Sequence, residues 1–238
     1  MIDINLFIKK SIKFEIYSNK NSPMSITTFN PRFSSSQYIN FYPYVGKDYA
    51  SARHKILVLG ESHYGPQSSN GYHEWTREVV ENDFLENYDK GDALPKWAQC
   101  HRNTANVLAS VRDANPHEVY DKIAFYNFFQ KSIGEGDHAD KRYLTVELKT
   151  SSAKALAEVM EILHPDLIVG WGWTLESDYL PEKKCGDVIK KIAGINLHLF
   201  TLNGFPPVPF WCMHHPSVGF NIDVHRECFA ELKKYLGW

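Results

Sequence analysis

The sequence predicts an α/β fold on three observations. Four short apolar runs end in small or polar residues, helical patterns lie between them, and one further segment is placed to pair antiparallel with the last run. The expected arrangement is a three-layer α/β/α domain, with helices on both faces of a central, mainly parallel four-stranded sheet.

Each element has its own warrant. Lys55 to Gly60 is a continuous apolar run closed by glycine, as suits a strand buried on both faces. Ile123 to Phe129, Asp166 to Gly172 and Val208 to His214 repeat that pattern. Trp97 to Arg112 carries Ala98, Ala105, Val107, Leu108 and Val111 at helical spacing and stops before Pro116. Ser152 is placed to cap a helix whose apolar face is Leu156, Val159, Met160 and Leu163, ended by Pro165. Pro181 to Ala193 and Asp223 to Leu236 read as two more helices. Asn196 to Leu202 is expected to pair antiparallel with Val208 to Met213 through a turn at Gly204 to Pro207. Asn19 to Asn40, rich in Ser, Asn, Thr and Pro, reads as a loop or arm. Residues 1–45 are therefore expected to form an extension packed on a domain of residues 46–238.

Composition narrows the function classes. The 238 residues are 43% hydrophobic and 23% charged, enough to build a core without staples. No apolar run approaches the ~18 residues of a membrane span, and Asp3 interrupts the first apolar stretch, so the expectation is a cytoplasmic, monomeric protein with no membrane partner. Formal net charge is −2, which offers no global attraction to nucleic acid. Residues 1–60, however, hold eight Lys or Arg against three acids. The four cysteines form no Cys-x-x-Cys pair and the histidines no His-x-x-x-His pair, so no metal and no cofactor is expected and the thiols read as buried and free.

In a parallel sheet ligands bind at the carboxyl ends of the strands. That rule gathers Glu61 to Tyr64, Asn127, Trp171 to Trp173 and His214 to Ser217 around one crevice. Three motifs sit there in order: Gly60-Glu61-Ser62-His63-Tyr64-Gly65, Phe125-Tyr126-Asn127 and His215-Pro216-Ser217. Together they resemble the uracil-DNA glycosylase superfamily over about residues 41–221. The Trp171-Gly172-Trp173 strand end is similar to that family's third strand.

The resemblance implies excision of uracil or another deaminated base from single- or double-stranded DNA. Cleaving an N-glycosidic bond leaves an anionic base and a cation-like sugar, so a donor is needed at the base and a negative or polar group at the sugar. His215 is the expected donor. Asn127 is expected to pair with O4 and N3–H of uracil, Tyr64 to exclude the thymine methyl, and Trp75 to stack on the flipped base. His214, Ser217 and Gly219 are expected to face the nucleic-acid backbone. Where many members carry Asp or Asn, this chain has Ser62, a weak water-orienting group, and Glu61 is the carboxylate beside it. Every cysteine follows the first motif, so no iron–sulfur cluster is expected.

Two other classes fit some of the same residues. A binder that kept the fold and lost water activation agrees with Ser62 and the acidic charge. A Gly-Asp-Ser-Leu type esterase would use Ser62 as nucleophile and His215 as base, but Cys212 stands where its Asp belongs, the Gly-x-Asn-Asp block is absent, and Tyr64 spoils a nucleophile elbow.

Overall fold

A computed structural model describes residues 29–135, 139–179, 188–192, 194–201, 206–217 and 219–238. The fold is α/β, built on a seven-stranded mixed sheet rather than the four strands expected. The strands are β1 (Tyr44–Val45), β2 (Ile56–Gly60), β3 (Ile123–Asn127), β4 (Leu167–Trp171), β5 (Val188–Ile192), β6 (Ile195–Phe200) and β7 (Val208–Met213), in the order β1-β3-β2-β4-β7-β6-β5. The four runs named above are adjacent in the middle and mutually parallel, with Gly60 level with Asn127 and Trp171 level with Met213. Antiparallel strands extend the sheet at both edges.

The helices are α1 (Asn30–Ser34), α2 (Trp75–Val80), α3 (Asn87–Lys90), α4 (Ala98–Ala109), α5 (Pro116–Tyr120), α6 (Val146–Leu163) and α7 (Ile222–Leu236), and a π-helical turn over Glu81–Glu86 joins α2 to α3. Alternating strand residues feed two apolar clusters. Leu57, Leu59, Ala124, Tyr126, Ile168 and Phe210 meet Leu156, Val159 and Met160 of α6. Val58, Phe125, Val169, Trp211 and Met213 meet Val107 of α4 and Phe229 and Leu232 of α7. Both faces of the central strands are thus covered, which is why they read as unbroken apolar runs.

Four expectations are corrected. Val188–Ile192, inside the expected helix from Pro181 to Ala193, is an edge strand paired with β6. Its Ile192 is buried while Lys190 and Lys191 face outward, so β-branched residues and edge lysines mimic an amphipathic helix. Residues 181–187 and 193 of that segment lie outside the described residues. α6 starts six residues before Ser152, because the Thr145 hydroxyl caps it by accepting from the Leu148 N–H at 3.2 Å. Ser152 is a buried mid-helix residue instead. α4 stops at Ala109, where Ser110 turns left-handed at φ 59°. Asn30–Ser34, inside the expected loop, is helical with Pro31 at its start.

Residues 29–45 are built into the fold, with Phe29, Phe33, Ile39 and Val45 buried in the first cluster. Residues 1–28 of the expected extension lie outside the described residues, as do residues 202–205 of the turn before β7 and Cys185. Cys100 and Cys228 are buried and free, and Cys212 is buried with its thiol donating to the Gly172 carbonyl. Among the described residues no helix is long and apolar enough to cross a membrane.

Candidate functional site

The parallel order β3-β2-β4-β7 sets four strand ends side by side. Asn127 closes β3, Glu61 follows β2, Gly172 and Trp173 follow β4, and His214 and His215 follow β7. The Phe128 and Phe129 N–H groups donate to the carbonyls of Gly60 and Glu61, both at 2.9 Å, which continues the pairing of β2 and β3 into the loops and fixes the entry to the first motif. Gly60 has a packing reason: a Cβ there would lie 2.4 Å from Asn127 Oδ1.

The floor of the crevice is buried and densely bonded. Asn127 Nδ2 lies 3.2 Å from His63 Nε2, and Thr76 Oγ1 lies 2.8 Å from the same nitrogen. The His63 ring stacks on Trp75 at 4.5 Å with 10° between planes, and Phe41 meets it edge-on at 5.0 Å. Burial lowers the His63 pKa to about 3, so the ring is neutral at neutral pH. One side further in, Gln130 Nε2 donates to the Asn127 carbonyl at 2.8 Å, while its Oε1 accepts from the Asn40 and Phe41 N–H groups.

The rim is more open and more polar. The Glu61 carboxylate accepts from the Tyr179 and Tyr64 hydroxyls. Burial first, then the negative charge of Glu61, pushes the Tyr64 phenol well above its usual range and keeps it protonated. His215 is exposed at the lip, yet the protein around it lowers its pKa, and the Glu61 charge opposes that shift. A lowered pKa leaves His215 neutral at neutral pH, carrying one N–H to donate. Trp171, 6% exposed, lies below it with ring centres 6.2 Å apart.

The loop after β7 is anchored by the Pro216 carbonyl, which accepts from the Asn103 side chain of α4 at 2.9 Å. The Ser217 N–H donates to the His215 carbonyl, and Gly219 takes φ 81°, a left-handed conformation that favours glycine. His214 is exposed, edge-on to Trp173 at 4.7 Å, and its backbone N–H donates to His225 Nε2. Trp173 itself is 60% exposed beside this loop.

Of the residues named from sequence, Glu61, Tyr64, Asn127, His214, His215 and Ser217 come to one end of the sheet, with Gly219 shaping the loop beside them. Ser62 is there too, but its hydroxyl donates to the carbonyls of His63 and Lys131 at 2.9 and 3.1 Å. Trp75 is in the floor, with one ring face covered by His63. Sequence reasoning missed His63, Thr76, Gln130 and Tyr179. His63 lay inside a quoted motif and could have been singled out as a polar residue at a buried strand end. Tyr179 had no local signal.

The arrangement combines a neutral imidazole donor, a carboxylate and a buried amide on one crevice, and among the described residues no group of three or more His, Cys, Asp or Glu could hold a metal ion. A recess of about 710 Å³ lies at the amino ends of the strands, among His54, Ile56, Ile123, Phe229 and Trp238, and none of the candidate residues lines it. Compared with known proteins, the chain matches no family model and no curated protein.

Proposed function

We propose that the protein is a DNA glycosylase-like hydrolase of the three-layer uracil-DNA glycosylase type, which flips out and excises uracil or another deaminated base. The observation that carries this reading is that Glu61, His215 and Asn127 follow or close β2, β7 and β3 at one end of the parallel sheet. In this reading His215 donates to the oxygen of the departing anionic base, where charge develops as the bond breaks. Glu61 supplies negative charge to the cation-like sugar and an acceptor for the incoming water, which adds to the sugar carbon as the base leaves. Asn127 reads the base edge. Trp75 stacks on the base.

Ser62 has no chemical step here, because its hydroxyl is held by two backbone carbonyls. The same observation weakens the esterase reading, which needs that hydroxyl directed at His215. It favours one second reading, a nucleic-acid binder without water activation.

The test is the purified chain with strands containing uracil, hypoxanthine or xanthine, followed by abasic-site cleavage, beside a serine-reactive phosphonate probe. Abasic sites in at least one strand and no phosphonate labelling are expected. Binding without excision would replace the enzyme with the binder, and labelling of Ser62 would replace both.

A further inference from the structure

We infer that His63 is a positioning residue that holds the Asn127 side-chain amide against rotation, and so determines which base edge the crevice accepts. This rests on the base-reading role proposed for Asn127.

A carboxamide is nearly symmetrical in shape, and turning it by 180° exchanges donor for acceptor. Uracil offers an acceptor at O4 and a donor at N3–H, whereas cytosine offers the reverse at N4 and N3. An unrestrained asparagine reads both edges equally well. Selection between them requires something that fixes the amide, and the fixing group must itself distinguish NH₂ from oxygen.

His63 meets that requirement. Its Nε2 is 3.2 Å from Asn127 Nδ2. An amide NH₂ donates and cannot accept, so the contact is a hydrogen bond when Nε2 carries its lone pair and the ring proton sits on Nδ1. In that tautomer the Thr76 hydroxyl, 2.8 Å from Nε2, is a second donor that shares the one lone pair with the amide. The reversed amide would set its oxygen against that lone pair, an unfavourable contact at a buried site.

The ring has little freedom to leave this position. Trp75 lies parallel to it at 4.5 Å and Phe41 stands edge-on at 5.0 Å, and the side chain is buried. Behind Asn127, Gln130 secures the backbone carbonyl at 2.8 Å, and Gly60 lies against Oδ1. The amide therefore has a fixed hinge and one distinguishing contact. Burial keeps His63 neutral down to about pH 3, so one ring nitrogen stays unprotonated above that pH.

Two measurements on the full chain test this. Long-range proton–nitrogen correlation spectroscopy should show His63 Nε2 unprotonated at pH 7, coupled through the hydrogen bond to the Asn127 amide. A protonated Nε2 would overturn the hold, whatever the excision assay gives. His63→Phe keeps the ring between Trp75 and Phe41 and removes the lone pair. Its preference for uracil over cytosine in excision should fall by about tenfold or more, the worth of one hydrogen bond in discrimination. His63→Gln, which restores an acceptor, should recover part of it. An unchanged preference in His63→Phe would overturn the selectivity role. No excision by the wild-type chain, with Nε2 unprotonated and coupled, would remove the glycosylase reading and the selectivity role while leaving the hold intact.

Discussion

The floor and the rim of the crevice are built from neighbouring residues on opposite physical terms. In the floor, His63, Thr76, Asn127 and Gln130 are buried and hydrogen-bonded, across 13 positions between His63 and Thr76, 64 between His63 and Asn127 and 90 between Gln130 and Asn40. At the rim, His214 and His215 are exposed, and Glu61 is held by two phenols at the border. Buried polar groups cost stability when a partner is lost, whereas exposed ones cost little. Floor substitutions should therefore appear in stability and selectivity, and rim substitutions in rate.

The largest expected effect is at the rim. His215→Ala should lower excision on the order of a hundredfold, the usual cost of about 3 kcal/mol for one donor to developing charge. Its unfolding free energy should stay within about 0.5 kcal/mol of wild type. A rate loss accompanied by an equal loss of stability would break the division between floor and rim.

Gln130→Ala sharpens the comparison from the other side. The side chain serves the Asn40 and Phe41 N–H groups and the Asn127 carbonyl, and nothing in alanine replaces those contacts. Unsatisfied buried groups cost about 1–3 kcal/mol each, softened where water enters. A loss of roughly 3 kcal/mol in urea unfolding is expected, with no phosphonate or charge chemistry altered. A loss under about 0.5 kcal/mol would mean the floor is wetter than its burial indicates.

These long-range bonds also explain how much was legible in the sequence. The central strands could be read because burial on both faces leaves a continuous apolar run, as in Leu57 to Leu59 and Ile168 to Val169. β5 could not, since an edge strand with one buried residue and two outward lysines has the composition of a surface helix. The start of α6 was displaced because Thr145 and Ser152 are equally good caps on paper, and only packing decides that Ser152 is inside. Rim residues other than Tyr179 lay in short motifs at strand ends and were found there. Of the floor only Asn127 and Trp75 were found, and His63, Thr76 and Gln130 were not, because the contact between His63 and Asn127 spans 64 positions and follows from β2 and β3 being paired in register.

Acid should weaken the buried interior more gently. His63 in the floor and His101 of α4, edge-on to Trp171 at 4.9 Å, are buried, and burial lowers both to about 3 from an ordinary 6.5. The unfolded chain binds these protons below about pH 6.5 and the folded chain does not, so their stabilising effect is complete above that pH. It is lost as pH falls toward 3, at roughly 1.4 kcal/mol per pH unit for each histidine. Urea unfolding between pH 6 and 4 should follow that slope, and His63→Phe should make it shallower by about one histidine's share. An unchanged slope would place the His63 ring in contact with water.

The smallest expected effect is at Ser62, the one motif residue on the border whose hydroxyl faces the backbone. Ser62 Oγ donates to the His63 and Lys131 carbonyls, joining the loop after β2 to the loop after β3. Its hydrogen is shared between two acceptors, of which the His63 carbonyl also accepts from the Ile133 N–H, and the residue is only partly buried. Ser62→Ala should therefore cost about 1 kcal/mol or less, with excision changed by less than about threefold, because neither Glu61 nor His215 depends on that hydroxyl. Ser62→Asp is the more demanding variant. Its carboxylate cannot donate to either carbonyl, so the loop must shift before the new group can orient water, and any gain in rate must exceed that disturbance. Measured together by excision rate and thermal unfolding, the two variants separate a loop clamp from a catalytic group. A clamp predicts a small stability loss with rate retained in Ser62→Ala. A rate loss in Ser62→Ala exceeding that of His215→Ala would transfer the chemistry from the carboxylate and imidazole to the serine.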